Sequence, residues 1–112
     1  MTINELVNEL KLTVFAGQQG LNKTISSAYC SDLLSDVMGN AQENNIWITL
    51  QTHKNAVAVA VLKDLSGQIL VNNHQPNADA IEAANEEGIP LLGTEKSAFE
   101  ICGLLYPLLW NK

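Results

Sequence analysis

The sequence predicts an α/β domain with a mostly parallel sheet and flanking helices. Short apolar runs at residues 46–50, 68–71 and 89–92 have the length and the bounding turn residues of buried strands. Helical patterns at residues 55–65 and 78–87 separate these runs, and a third follows the last of them. Strands and helices alternating in this way form a parallel sheet with right-handed crossovers, in two layers or three.

The bulk numbers bound the rest. At 112 residues the chain reads as one small domain, residues 1–112. A chain of this size buries roughly two-thirds of the surface its unfolded form exposes, enough for a core without disulfides or metal. It is 46% apolar and 16% charged. That is globular, but below the usual charged share of about 25%, so a partner is expected to cover some apolar surface. The net charge of −6 comes from six lysines, no arginine and twelve acids. Without a basic run the sequence argues against nucleic acid and other large polyanions. One small phosphate held by backbone amides remains compatible with it. Cys30 and Cys102 are far apart in sequence, lack a CxxC spacing and read as free buried thiols in a reducing compartment. The N-terminus has no signal-peptide pattern, and no apolar run approaches the roughly 20 residues of a membrane span. The expectation is a cytoplasmic protein with no membrane contact.

Taken in order, Thr2 and Glu5 form a capping box for a helix over residues 3–10, where Ile3, Leu6, Val7 and Leu10 share one face. Residues 12–16 and 25–30 read as strands around a turn at Gly17-Gln18-Gln19-Gly20. Residues 31–40 read as a short helix capped by Ser31 or Asp32 and ended by Gly39, and residues 41–45 as a loop. The segment 55–65 is ambiguous, because valines alternate with alanines in a period of two. It is assigned as a helix, since the strands at 46–50 and 68–71 need a crossover and alanine favours helices. Its nearly polar-free first half implies burial on more than one side. Asn77 caps the helix at 78–87 and Gly88 ends it. The last helix begins at Thr94 or Glu95, and Pro107 ends or kinks it.

Several blocks taken together resemble a known family. They are Tyr29-Cys30-Ser31-Asp32-Leu33-Leu34-Ser35-Asp36-Val37-Met38-Gly39, Trp47-Ile48-Thr49-Leu50-Gln51-Thr52-His53, Asn55-Ala56-Val57-Ala58-Val59-Ala60 and Glu87-Gly88-Ile89-Pro90-Leu91-Leu92. In this order they resemble the DRTGG domain, which is similar to the N-terminal domain of HPr kinase/phosphorylase. The resemblance covers nearly the whole chain. It implies a small α/β regulatory or ligand-sensing domain, often dimeric, found alone or attached to CBS domains or phosphate acetyltransferases. It assigns no catalytic residue. The chain departs from the family near residues 70–77, where Asn72-Asn73-His74-Gln75-Pro76 replaces the paired glycines. It also has no GxxxxGK[ST] loop, so no nucleotide-phosphate cradle of the kinase type is present.

Candidate site residues cluster where the strand at 46–50 runs into the following helix. Thr49, Gln51, Thr52, His53 and Asn55 stand there, at the edge where open α/β sheets bind ligands and helix N-termini offer free amides. Hydroxyls and an imidazole at such an edge suit a phosphate or carboxylate; the simpler reading is that Thr52 or Lys54-Asn55 caps the helix. His74 and Thr94 occupy the same edge if the strands are parallel. Asp32 and Asp36 fall at i and i+4, a spacing that would place both on one helical face for a cation or for acid–base work; the simpler reading is a cap plus an exposed acid. No set of residues at metal-ligand spacing supports a metal, and no cofactor is expected. From Ala98 to Trp110 only Glu100, Gly103 and Pro107 interrupt an apolar run, which suggests a homodimer through this C-terminal helix. The function expected is a non-catalytic module that senses a small anionic metabolite or nucleotide. The alternative is an interaction subunit of a larger metabolic complex with no small ligand.

Overall fold

The computed structural model describes residues 1–110. The elements run α1 (Ile3–Leu10), β1 (Thr13–Ala16), a 3-10 turn (Gln18–Gly20), β2 (Ser27–Cys30), α2 (Leu34–Asn40), β3 (Asn45–Thr49), α3 (Lys54–Leu62), β4 (Gly67–Leu70), α4 (Ala78–Glu87), β5 (Leu91–Gly93) and α5 (Ala98–Trp110). The sheet order is β1-β5-β4-β3-β2. Strands β2 to β5 are parallel, and β1 is an antiparallel edge on β5. The fold is therefore α/β with a mostly parallel sheet. The N-terminal strand, whose alternation is weakest, takes the edge position.

Period-two alternation divides the core between the two faces of the sheet. Trp47 and Leu70 point to a layer made by α2, α3 and α4, where they meet Val37, Ala56, Ala60, Ala80 and Ala84. Ile46, Ile48 and Ile69 point the other way, to Ile3 and Leu6 of α1 and Ile101 and Leu105 of α5. The arrangement is thus three-layered. Alanines face one another where α3 meets α4, and their small volume lets the helices pack closely. Each fully buried Leu or Ile contributes roughly 1.5–3 kcal/mol of transfer free energy.

Local signals account for several helix ends. Thr2 Oγ1 accepts from Glu5 N at 3.2 Å and Glu5 Oε1 accepts from Thr2 N at 2.8 Å, which completes the capping box on α1. Gly88 ends α4 at φ 69°, where L side chains are strained. Gly17 has φ 74°, and a Cβ there would collide with the Ile89 carbonyl, so only glycine lets the β1 turn close on the β5 approach.

Several expectations need correction. The helix expected from residue 31 starts at Leu34, with Leu33 at the cap position and no side-chain cap. Asp32 is drawn away to the β3–α3 junction, so Asp32 and Asp36 do not share a helical face. Gly39 lies inside α2, not at its end. The helix expected over 55–65 is present but spans Lys54–Leu62, ending three residues early in a turn. Ala58 and Leu62 are exposed, so its apolar character exceeds its burial. The last helix begins at Ala98, with Ser97 and Glu100 forming a reciprocal box (Glu100 N to Ser97 Oγ 3.2 Å, Ser97 N to Glu100 Oε1 3.1 Å). Thr94 spends its hydroxyl on Lys96 N at 3.2 Å instead. Pro107 sits within α5 and does not end it. Cys30 is exposed and Cys102 is half-buried, so neither is the buried thiol expected. Among the described residues no helix is long and apolar enough to cross a membrane.

Candidate functional site

The carboxyl ends of β2, β3, β4 and β5 line one edge, because parallel strands place every strand-to-helix junction there. The residues expected at this edge fall into three groups.

The first group joins β2 to β3. Asp32 Oδ1 accepts from Thr49 Oγ1 at 2.8 Å and from Leu50 N at 2.7 Å. Gln51 Nε2 donates to the Asp32 carbonyl at 2.7 Å, and Gln51 N donates to Thr49 Oγ1 at 3.1 Å. The Thr49 hydroxyl is thus both donor and acceptor inside the protein, and Thr49 is buried. Asp32 and Thr49 brace the loop that carries Thr52 and His53.

The second group joins α3 to α4. Asn77 N donates to the Thr52 carbonyl at 3.0 Å, and Asn77 Nδ2 lies 2.8 Å from His53 Nδ1. His53 occupies the cap position of α3 and Asn77 that of α4, yet neither side chain caps its helix. Neither Thr52 nor Lys54-Asn55 supplies a side-chain cap to α3. The two caps have turned toward each other. Ala56 N and Ala80 N donate to the His53 and Asn77 carbonyls at 3.0 Å. The amides left without a side-chain acceptor are therefore those of the first two residues of each helix, Lys54 and Asn55 of α3 and Ala78 and Asp79 of α4. Lys54 begins α3, while Asp79 stands in the first turn of α4. The α3 side is thus the more attractive to an anion.

The third group lies farther along the edge. Asn72 and Asn73 are left-handed, with φ 56° and 58°, a conformation asparagine tolerates. Asn72 N donates to the Lys96 carbonyl and Asn73 N to the Thr94 carbonyl, each at 2.8 Å, so this loop is tied to the loop before α5. His74 is exposed, with Nδ1 3.3 Å from the Asn72 carbonyl oxygen. The structure thus brings Thr52 and His53 together with Asn77, and Asp32 together with Thr49. His74 stays with its own loop.

Asp36 belongs to a separate network. Tyr29 Oη donates to Asp36 Oδ2 at 2.8 Å and Asn40 Nδ2 to Asp36 Oδ1 at 3.0 Å. The bond from Tyr29 holds the Asp36 carboxyl below its ordinary range, and the same bond raises the Tyr29 phenol. No group of three or more His, Cys, Asp or Glu among the described residues could hold a metal ion.

Cavities lie around this edge more than within it. A groove of about 420 Å³ between α3 and α4 is lined by Lys54, Asn55, Val57, Ala58, Leu62 and Ala83, among others, so Asn55 opens onto it. A second, of about 260 Å³, lies between β2 and α5. Sequence reasoning missed two residues. Asn77 reads as a helix cap, and only the tertiary fold reveals its bond to His53. Gln68, fully buried on β4, has neither Oε1 nor Nε2 hydrogen-bonded, and nothing in the sequence signals this.

No family model matches the chain, and no curated protein matches it. Among solved structures it is similar to the CBS and DRTGG domains of the regulatory region of Clostridium perfringens pyrophosphatase, complexed with the activator diadenosine tetraphosphate. The two share 17% identity and a TM-score of 0.67 over 93% of this chain and 45% of the other. The chain therefore spans less than half of that protein's length. At this identity the likeness is one of fold, and it supports a DRTGG-like architecture.

Proposed function

We propose that this chain is a non-catalytic regulatory module that binds a small anionic metabolite or nucleotide at the α3–α4 edge. The observation that carries the reading is the His53–Asn77 pair, at 2.8 Å. It turns both cap side chains toward each other and leaves two adjacent helix N-termini without side-chain acceptors. Such N-termini favour phosphate and carboxylate groups. In this reading Thr52, His53 and Asn55 contact the ligand, Asp32 and Thr49 hold the loop in place, and His74 lies at the far end of the edge. The fold-level likeness to a regulatory region that binds diadenosine tetraphosphate supports a nucleotide as ligand. Similarity to the N-terminal domain of HPr kinase/phosphorylase belongs to the same reading. In this reading the whole chain, residues 1–112, is one module.

The module acts as a homodimer through α5. Phe99, Tyr106 and Trp110 of this helix are 89%, 67% and 61% exposed. Aromatic anchors of this kind concentrate at interfaces. The same surface supports a second reading, an interaction subunit that docks on a larger complex without a small ligand.

A thermal-shift screen with nucleotides, acyl phosphates and sugar phosphates separates the two. A ligand at a hundredfold excess over Kd stabilises by about 2.7 kcal/mol. A shift with one of these anions supports the sensing module. No shift with any of them, together with a co-purifying protein, supports the docking subunit. Light scattering at micromolar concentration tests the dimer, and a monomer there excludes it.

A further inference from the structure

The two cysteines, distant in sequence, meet in the fold. Along β2, Tyr29 packs with the α2–α4 layer while Ala28 packs with the α1–α5 layer, so alternation turns Cys30 toward α5. Cys102 lies on α5 and packs against that same layer. Both cysteines line the 260 Å³ groove between β2 and α5. Cys30 is exposed, so a dissolved oxidant reaches it. β2 is an edge strand, and α5 is held on its outer half by partly buried contacts from Cys102, Leu108 and Leu109.

We propose that Cys30 and Cys102 form a reversible disulfide within one chain, which locks α5 onto the edge strand β2. The oxidant is a peroxide. One thiolate attacks the O–O bond and becomes a sulfenic acid as the first oxygen leaves as water. The second sulfur then attacks the sulfenic sulfur and the second oxygen leaves as water. Two thiols and hydrogen peroxide give one disulfide and two waters, and a dithiol reductant reverses the change. Burial, and then the neighbouring Cys102 thiol, push the Cys30 thiol up to about 11. Cys30 is therefore held as a thiol at neutral pH, and disulfide formation accelerates as pH rises. The lock closes a long loop, from Cys30 to Cys102, and removes that freedom from the unfolded chain. It rests on neither the edge site nor self-association.

The test treats the full chain with hydrogen peroxide at pH 7 and pH 9. Intact mass, peptide mapping and a non-reducing gel are then compared with C30S and C102S. The expected result is loss of two hydrogens, a mapped Cys30–Cys102 peptide pair and an unchanged monomer band. Tm should rise by roughly 10 °C and return to its starting value with dithiothreitol. Oxidation should be several-fold faster at pH 9. Separate over-oxidation of each thiol, or a disulfide-linked dimer instead of an internal link, would overturn the proposal. Both outcomes are readable in the wild-type chain whether or not the serine variants fold.

Discussion

Asp32 and Thr49 are 2.8 Å apart through a carboxylate–hydroxyl hydrogen bond that joins the end of β2 to the end of β3. The bond holds the floor beneath Thr52 and His53. Asp32 also accepts from Leu50 N, so removing it orphans two donors, one on a buried residue. Asp32→Ala should cost about 1–3 kcal/mol, and Thr49→Val about 1 kcal/mol. Their costs should not add, because both changes break the same bond. Urea denaturation of the two single variants and the double variant measures this coupling.

Asn77 stands at the cap position of α4 but does not cap it. A shorter side chain that turns back on its own helix should restore the cap. Asn77→Ser should therefore stabilise the fold by up to about 1 kcal/mol, while releasing His53 and weakening anion binding. Thermal denaturation and calorimetric titration of the same variant test both halves. A variant that is more stable and binds equally well would separate the His53–Asn77 pair from the site.

Gln68 buries an amide with no partner on either atom. Such a group carries its desolvation cost uncompensated. Gln68→Met keeps the side chain's length and removes its polarity, so it should stabilise by about 1–3 kcal/mol. Denaturant midpoints measure the gain. A loss of stability would mean that the amide is satisfied in solution.

The Tyr29–Asp36 bond makes stability depend on pH in a defined direction. The folded-state pKa of Asp36 is lowered, first by the hydrogen bond from Tyr29. Its contribution is therefore present above the ordinary carboxylate pKa and is lost as pH falls through the lower folded value. Tyr29→Phe should reduce Tm at neutral pH, and the gap from wild type should close as the pH falls through that acidic range. Scanning calorimetry from pH 7 to about pH 2 covers the carboxylate titration range. A gap that stays constant with pH would remove the bond from the account.

Much of this fold was legible because its signals are local. The apolar runs that became β3, β4 and β5, the Thr2–Glu5 box and Gly88 all act within a few residues. Ser97 and Glu100 were equally legible, as a reciprocal box three residues apart, but the polar Thr94-Glu95 pair just upstream drew the helix start too early. The site was less legible because its decisive contacts span long stretches of chain. Asp32 reaches Thr49 across 17 positions and Asn77 reaches His53 across 24. Those distances close only once β2, β3 and β4 are in register. Asp32 therefore looked like a helix cap, Asn77 looked like one too, and Cys30 looked buried. The edge was found from strand polarity alone; its internal bonds came from tertiary packing.

The central claim is that an anion binds between α3 and α4 beside His53. Isothermal titration of diadenosine tetraphosphate, and of any anion that raises Tm in the screen, into the wild-type chain and H53A tests it most directly. Saturable binding to the wild-type chain is expected, weakening by at least about tenfold in H53A, a difference of about 1.4 kcal/mol. Equal binding by both proteins, or no binding of any such anion to the wild-type chain, would contradict it.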